Sequence, residues 1–136
     1  MKPIKYPTPE LIIRYNIIAL SVFKVKKQDK PEVMSRAKIA AIIDECKGIK
    51  GDVYDRAAFL MKVLVQRHPF ASGNRRTAFI ATAAFVEDNG AAFRIKNDPE
   101  YSKAMIGIRE NFYKDEEIKR WIRTGEIREF KRGTNQ

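Results

Sequence analysis

Apolar residues recur at helical spacing along most of the chain. The clearest series is Ala57, Leu60, Met61, Leu64 and Val65, which follows the i, i+3, i+4, i+7, i+8 pattern of one helix face. Capping and turn residues divide this pattern into six segments. They predict helices over about residues 9–27, 31–48, 53–66, 74–89, 98–112 and 114–125.

The fourth predicted helix is apolar nearly all round, since residues 77–86 read TAFIATAAFV. A helix without a polar face is buried on most sides. We therefore expect an all-α bundle around a central helix at about 74–89. Neither a repeat nor a linker interrupts the 136 residues, which indicates one domain over 1–136. The charged tail at 126–136 is expected to fray.

The chain carries 27 Lys and Arg against 17 Asp and Glu, a net charge of +10. This surplus fits either an anionic partner or a solvated surface. Because the charges are spread along the chain and no recognition-helix motif appears, a nucleic-acid binder is the weakest of three functional hypotheses. A single cysteine, a polar N-terminus and no apolar run of about 18 residues favour a cytoplasmic protein without a membrane partner.

One segment, HPFASGNRRT at 68–77, combines a glycine-containing loop with the start of a helix. Free N–H groups and the helix dipole make such a start attractive to phosphate. Gly73 permits a positive φ there. Two arginines at a helix N-terminus oppose the dipole unless an anion lies between. The pattern predicts a phosphate site at Gly73, Asn74, Arg75 and Arg76.

His68 is the only histidine, and it precedes the same loop. A neutral imidazole can take a proton from an attacking hydroxyl, so His68 is the candidate general base. Base and anion site together indicate transfer of a phosphate-containing group to a hydroxyl. Simpler interpretations stay open: a core histidine, a glycine that only turns the chain and solvated arginines. Phe70 is interpreted as a core residue that anchors the loop.

The segment HPFASGNRRTA resembles the signature of the Fic/Doc family, which reads H-P-F-x-D/E-G-N-G-R-x-x-R in Fic proteins. In the death-on-curing (Doc) branch, Asn-Lys-Arg-Thr-Ala follows the turn. The resemblance is closest to that branch, because Arg75 keeps the charge of its lysine and Phe79 replaces the second Fic arginine. The matching positions are His68, Pro69, Phe70, Gly73, Asn74, Arg76, Thr77 and Ala78.

The resemblance implies a Fic-like helical bundle in which His68 is the general base. It places Gly73, Asn74 and Arg76 at the nucleotide phosphates and Phe70 in the core. It also implies that residues 47–52 lie where the family has a flap, which holds the target segment in extended form.

The activity implied by the Doc branch is phosphoryl transfer from a nucleoside triphosphate, with ATP expected, to a Ser, Thr or Tyr hydroxyl of a protein. Transfer of AMP is the weaker expectation. The family's inhibitory motif S/T-x-x-x-E-G/N is absent, so a toxin of this type would need a separate antitoxin.

One departure bears on the cofactor, since Ser72 replaces the Asp or Glu that holds Mg²⁺ in the family. A neutral hydroxyl is a poor ligand for this ion, so the sequence predicts no strong metal site. The alternative hypothesis is therefore a catalytically weakened Fic-fold module that binds a nucleotide or a partner protein.

Overall fold

The computed structural model describes residues 2–22 and 31–132 and contains six helices. Helices cover 62% of this part of the chain, which holds no strand and a single isolated β-bridge, between Val33 and Phe70. The all-α prediction is confirmed. The helices are α1 (Pro9–Val22), α2 (Arg36–Lys47), α3 (Val53–Arg67), α4 (Asn74–Asp88), α5 (Glu100–Arg109) and α6 (Asp115–Thr124). The predicted end of the first helix at Lys27 lies outside the described residues.

The pair α3 and α4 forms the centre of the bundle. Helix α3 packs against α2, α4, α5 and α6, while α4 packs against α3 and α1. From Asn74 to Val86, the only exposed residue of α4 is Arg75. The buried helix predicted at 74–89 is therefore present, and α3 shares its central position.

Local backbone and side-chain contacts define the two ends of α3. The Asp52 carboxylate accepts hydrogen bonds from the N–H groups of Tyr54 and Asp55, and the Asp55 carboxylate accepts one from the N–H of Asp52. At the other end, His68 leaves the helix in the left-handed conformation, with φ 48°. The 15 residues of α3 span about 22 Å.

Helix α2 begins at Arg36, so its predicted start at residue 31 is wrong. Residues 31–35 are extended because they pair with the loop that follows α3. The N–H of Met34 donates to the carbonyl of Pro69 at 2.8 Å, and the N–H of Ala71 donates to the carbonyl of Glu32 at 2.9 Å. Ser35 then caps α2 by accepting a hydrogen bond from the N–H of Lys38.

The C-terminal region departs from the prediction in two places. Helix α5 ends at Arg109 rather than Phe112, because Asn111 adopts a φ of 57° that cannot continue a helix. The segment at 126–130 is packed and not frayed. The Tyr113 hydroxyl donates to the carbonyl of Arg128 at 2.8 Å, and the Arg128 guanidinium lies 3.9 Å from the centroid of the Phe112 ring. Residues 133–136 lie outside the described part.

None of the helices in the described ranges has both the length and the apolar character that a membrane span requires.

Replacement of Gly107 tests how closely α5 packs against Tyr113 and Phe130. A Cβ at this position would overlap the Tyr113 ring and lie 3.2 Å from the Phe130 Cβ. We expect Gly107→Ala to lower the free energy of unfolding by about 1–3 kcal/mol, although alanine in a helix interior ordinarily stabilises by about 1 kcal/mol. Urea denaturation measures the difference.

Gly48→Ala is the matched control. Gly48 has a φ of −86°, and an added Cβ would meet only the carbonyl oxygen of Glu45 at 3.4 Å. Its unfolding free energy should change by less than about 0.5 kcal/mol. A Gly107 variant as stable as the parent would contradict the packing described here.

Candidate functional site

The candidate site is built on the loop at 68–73, which joins α3 to α4. His68 begins the loop with a positive φ that costs a non-glycine residue about 1–2 kcal/mol. Its side chain is exposed, so it is not a core histidine satisfied by buried partners. The next two residues, Pro69 and Phe70, are buried, and Phe70 belongs to the hydrophobic core with 2% exposure. Pro69 and Phe70 thus anchor the loop in the core, while the His68 side chain lies at the surface.

The Asn74 side chain closes the loop. Its Oδ1 accepts a hydrogen bond from the N–H of Phe70 at 3.1 Å, and its Nδ2 donates to the carbonyl of Phe70 at 2.9 Å. Both ends of the amide are therefore hydrogen-bonded to the backbone of one residue, Phe70. The sequence places Asn74 among the phosphate-binding residues, and in the structure its side chain holds the backbone that presents them.

Asn16 of α1 is a second clamp, which the sequence analysis missed. It is 1% exposed, and its Nδ2 donates to the carbonyl of Ser72 at 2.9 Å and to the Thr77 hydroxyl at 3.1 Å. Buried polar side chains are almost always hydrogen-bonded. An asparagine within the apolar pattern of α1 was the available signal.

The absence of a side chain at Gly73 allows the loop to pack closely against α1. Its φ is 77°, a conformation that favours glycine. An added Cβ would lie 3.0 Å from Cδ2 of Leu20 and 3.3 Å from Nδ2 of Asn16. The missing side chain thus makes room for α1. Backbone conformation and packing both favour glycine at this position.

The loop opens onto a pocket of about 420 Å³ between the start of α4 and one face of α5. The pocket brings together the predicted site residues His68, Gly73, Asn74, Arg75 and Arg76. Five residues of α5 form the facing wall: Tyr101, Ser102, Met105, Ile106 and Arg109. Their spacing of i, i+1, i+4, i+5 and i+8 is that of one helix face. The sequence analysis did not assign this wall, although the spacing was visible.

The pocket is strongly basic. Arginines 75, 76 and 109 line it, and no Asp or Glu among the described residues does. Partial burial lowers the pKa of Arg75, and the positive charge of Arg109 lowers it further. The Arg76 guanidinium donates to Oδ1 of Asn97 at 3.2 Å and lies 5.0 Å from the centroid of the Tyr101 ring. An anion in the pocket would relieve the repulsion between the guanidinium groups.

Ser72 does not face this pocket. Its hydroxyl oxygen is buried and has no hydrogen-bond partner among the described residues. In the part of the chain that the structure describes, no group of three or more His, Cys, Asp or Glu side chains is placed to hold a metal ion. Magnesium prefers anionic oxygen ligands. The described residues of this site therefore do not fit a protein-held Mg²⁺ ion.

The placement of a flap at residues 47–52 is wrong. This connection joins α2 to α3, and the whole of α3 separates it from His68. The extended segment beside the loop is 31–35, which carries the bridge between Val33 and Phe70.

The two hydrogen bonds between the Asn74 side chain and the Phe70 backbone allow a test of whether Asn74 holds the loop in place. We expect Asn74→Ala to speed amide exchange at Phe70 at least fivefold, because a net hydrogen bond contributes about 1 kcal/mol. Asn74→Asp is the control, since its carboxylate still accepts from the N–H of Phe70. It should show a smaller effect by exchange NMR. Unchanged protection of Phe70 in the alanine variant would contradict the clamp.

Residues 27–86 match the model of the Fic/DOC family. This segment contains α2, α3, the loop at 68–73 and most of α4. A search of curated proteins finds no match. The similarity thus covers the loop and the two central helices that carry it, while α1 and α5 lie outside the matched segment.

Proposed function

We propose that the chain is a Fic/Doc-type transferase that moves a phosphoryl group from a nucleoside triphosphate to a hydroxyl group of a protein. The observation that carries this proposal is the shared pocket of His68, Arg75 and Arg76. An exposed imidazole beside clustered guanidinium groups is suited to deprotonate a hydroxyl next to a bound polyphosphate. The family match at 27–86 supports the same class of chemistry.

In the proposed step, His68 takes the proton from the target hydroxyl. The hydroxyl oxygen forms a bond to the γ-phosphorus. The bond between that phosphorus and the β,γ-bridging oxygen breaks, and the nucleoside diphosphate leaves with the electron pair. The arginines neutralise charge on the phosphate oxygens during transfer. ATP is the expected donor. Transfer of AMP would instead require attack on the α-phosphorus and would release pyrophosphate. The cation at Arg75 and the apolar Phe79 favour phosphoryl transfer over AMP transfer.

The segment 31–35 is the proposed docking place for the target protein. Because Met34 and Glu32 bond to the loop, the N–H and C=O groups of Val33 point to the opposite edge. An extended peptide can add a strand to such an edge. Val33 and Met34 are 37% and 63% exposed, so apolar side chains of the target can pack beside this edge. If the chain acts as a toxin, a separate antitoxin would restrain it.

A second candidate function is nucleotide or protein binding without catalysis. The observation that favours it is the buried Ser72 hydroxyl, which leaves the pocket without the carboxylate of the Fic signature. The binding surface would be the same, and only group transfer would be missing.

Replacement of His68 distinguishes the two functions. The parent protein, incubated with a cell lysate and either α- or γ-labelled ATP, should transfer the γ-label to protein. His68→Asn should lose at least a hundredfold of this activity, because a general base contributes about 10²–10⁴ in rate. Asparagine is chosen because it tolerates the left-handed conformation of residue 68.

ATP binding by the same variant is the accompanying measurement. It should stay within about twofold of the parent, since the base acts on the hydroxyl rather than on the phosphates. Full transfer by the variant would remove His68 from the mechanism. Binding of ATP by a parent that transfers neither label would favour the non-catalytic module.

A further inference from the structure

We propose that Arg109 of α5 is a third phosphate ligand, and that the guanidinium groups of Arg75, Arg76 and Arg109 bind the polyphosphate of the nucleotide without a divalent metal ion. This inference rests on the proposed function and extends it to a residue outside the segment 27–86 that matches the Fic/DOC family.

The position of Arg109 follows from the contact between α3 and α5. Gln66, two residues before His68, donates from Nε2 to the carbonyl of Ile108 at 2.8 Å. The end of α3 and the last turn of α5 are therefore adjacent. Both His68 and Arg109 line the pocket, so Arg109 lies at the end of the pocket where the general base stands.

Arg76 of α4 lies at the other end of the pocket, beside the first turn of α5. It bonds to Asn97, just before α5, and covers the ring of Tyr101 in its first turn. From Tyr101 to Arg109 the helix rises by about 12 Å. Cationic groups are thus distributed along a pocket longer than one phosphate group, which fits an extended polyanion.

A polyanionic ligand would neutralise the positive charges of Arg75 and Arg109. Neither side chain has a hydrogen-bond or ion-pair partner among the described residues. Arg75 is exposed and Arg109 is half-buried, and both line the pocket. Their mutual repulsion is what lowers the pKa of Arg75 beyond the effect of burial. Arginine binds phosphate through parallel N–H···O bonds, and a bound polyphosphate would turn this repulsion into attraction.

The same arginines can replace the charge of a metal ion. Phosphoryl transfer needs positive charge near the phosphate oxygens, which a metal ordinarily supplies. Within residues 2–22 and 31–132 no carboxylate lines this pocket, and the Ser72 hydroxyl is buried. Three guanidinium groups supply cationic charge from the protein itself.

The test uses the full chain and two probes, inorganic tripolyphosphate and ATP, titrated calorimetrically with excess Mg²⁺ and with EDTA. We expect both probes to bind in EDTA at least as tightly as with Mg²⁺, because the ion competes with the arginines for phosphate oxygens. Arg109→Gln should weaken both at least tenfold in EDTA, and Arg109→Lys should fall between this variant and the parent.

Lys103→Gln is the matched control. Lys103 is an exposed cation of the same helix, and it lines a different pocket. Its affinities should change less than twofold, which separates a site contact from the general effect of losing one charge. The Arg109 variants are compared with the parent by circular dichroism, and Arg109→Lys keeps the inference testable if the glutamine variant unfolds.

The outcomes separate this inference from the proposed function. Binding that requires Mg²⁺, or equal losses for Arg109→Gln and Lys103→Gln, would overturn the inference, while label transfer by the parent would leave the proposed function standing. Metal-free binding of ATP that depends on Arg109, with no transfer of label, would support the inference and overturn catalysis. Failure to bind either probe would overturn the inference.

Discussion

The site depends on hydrogen bonds that fix the backbone of one loop. Three separate parts of the chain supply them: Asn74 to Phe70, Asn16 to Ser72, and residues 31–35 to Pro69 and Ala71. Each bond uses a backbone group that no helix pairs. Burying such groups without partners would cost free energy. The loop therefore has one conformation only when α1, the segment before α2 and α4 are all in place.

This constraint determines where the reactive groups lie. A fixed loop holds His68 in a strained, exposed position and starts α4 so that Arg75 and Arg76 face α5. The facing wall then adds Arg109, which comes from a region far away in sequence. The concentration of positive charge is thus a tertiary property. It arises where two helix faces meet. The folding free energy of the surrounding bundle offsets the electrostatic repulsion between these cations.

Local features of the sequence were sufficient to predict most of the fold. Thr8, Gly48 and Asp52 cap helices at the predicted boundaries near residues 9, 48 and 53, because capping depends on residues a few positions apart. Long-range contacts were not predictable in this way. Residues 31–35 stay extended because they pair with a loop almost 40 positions later, and the tail at 126–130 is held by aromatic rings of residues 112 and 113.

The same distinction applies to the site. The residues of the loop and of the first turn of α4 formed a visible motif, whereas Asn16 and the α5 wall appear only when distant helices come together. The flap was misplaced for a related reason. The family resemblance placed it at residues 47–52, although the full length of α3 separates this connection from His68.

Mapping of backbone amide shifts by NMR during titration with ATP tests the central claim most directly. If the nucleotide lies between the loop and α5, the largest changes should fall in residues 68–76 and 101–109, on both walls of the pocket. Changes confined to residues 113, 121 and 125–130 of the neighbouring groove, or no changes at millimolar ATP, would contradict the account.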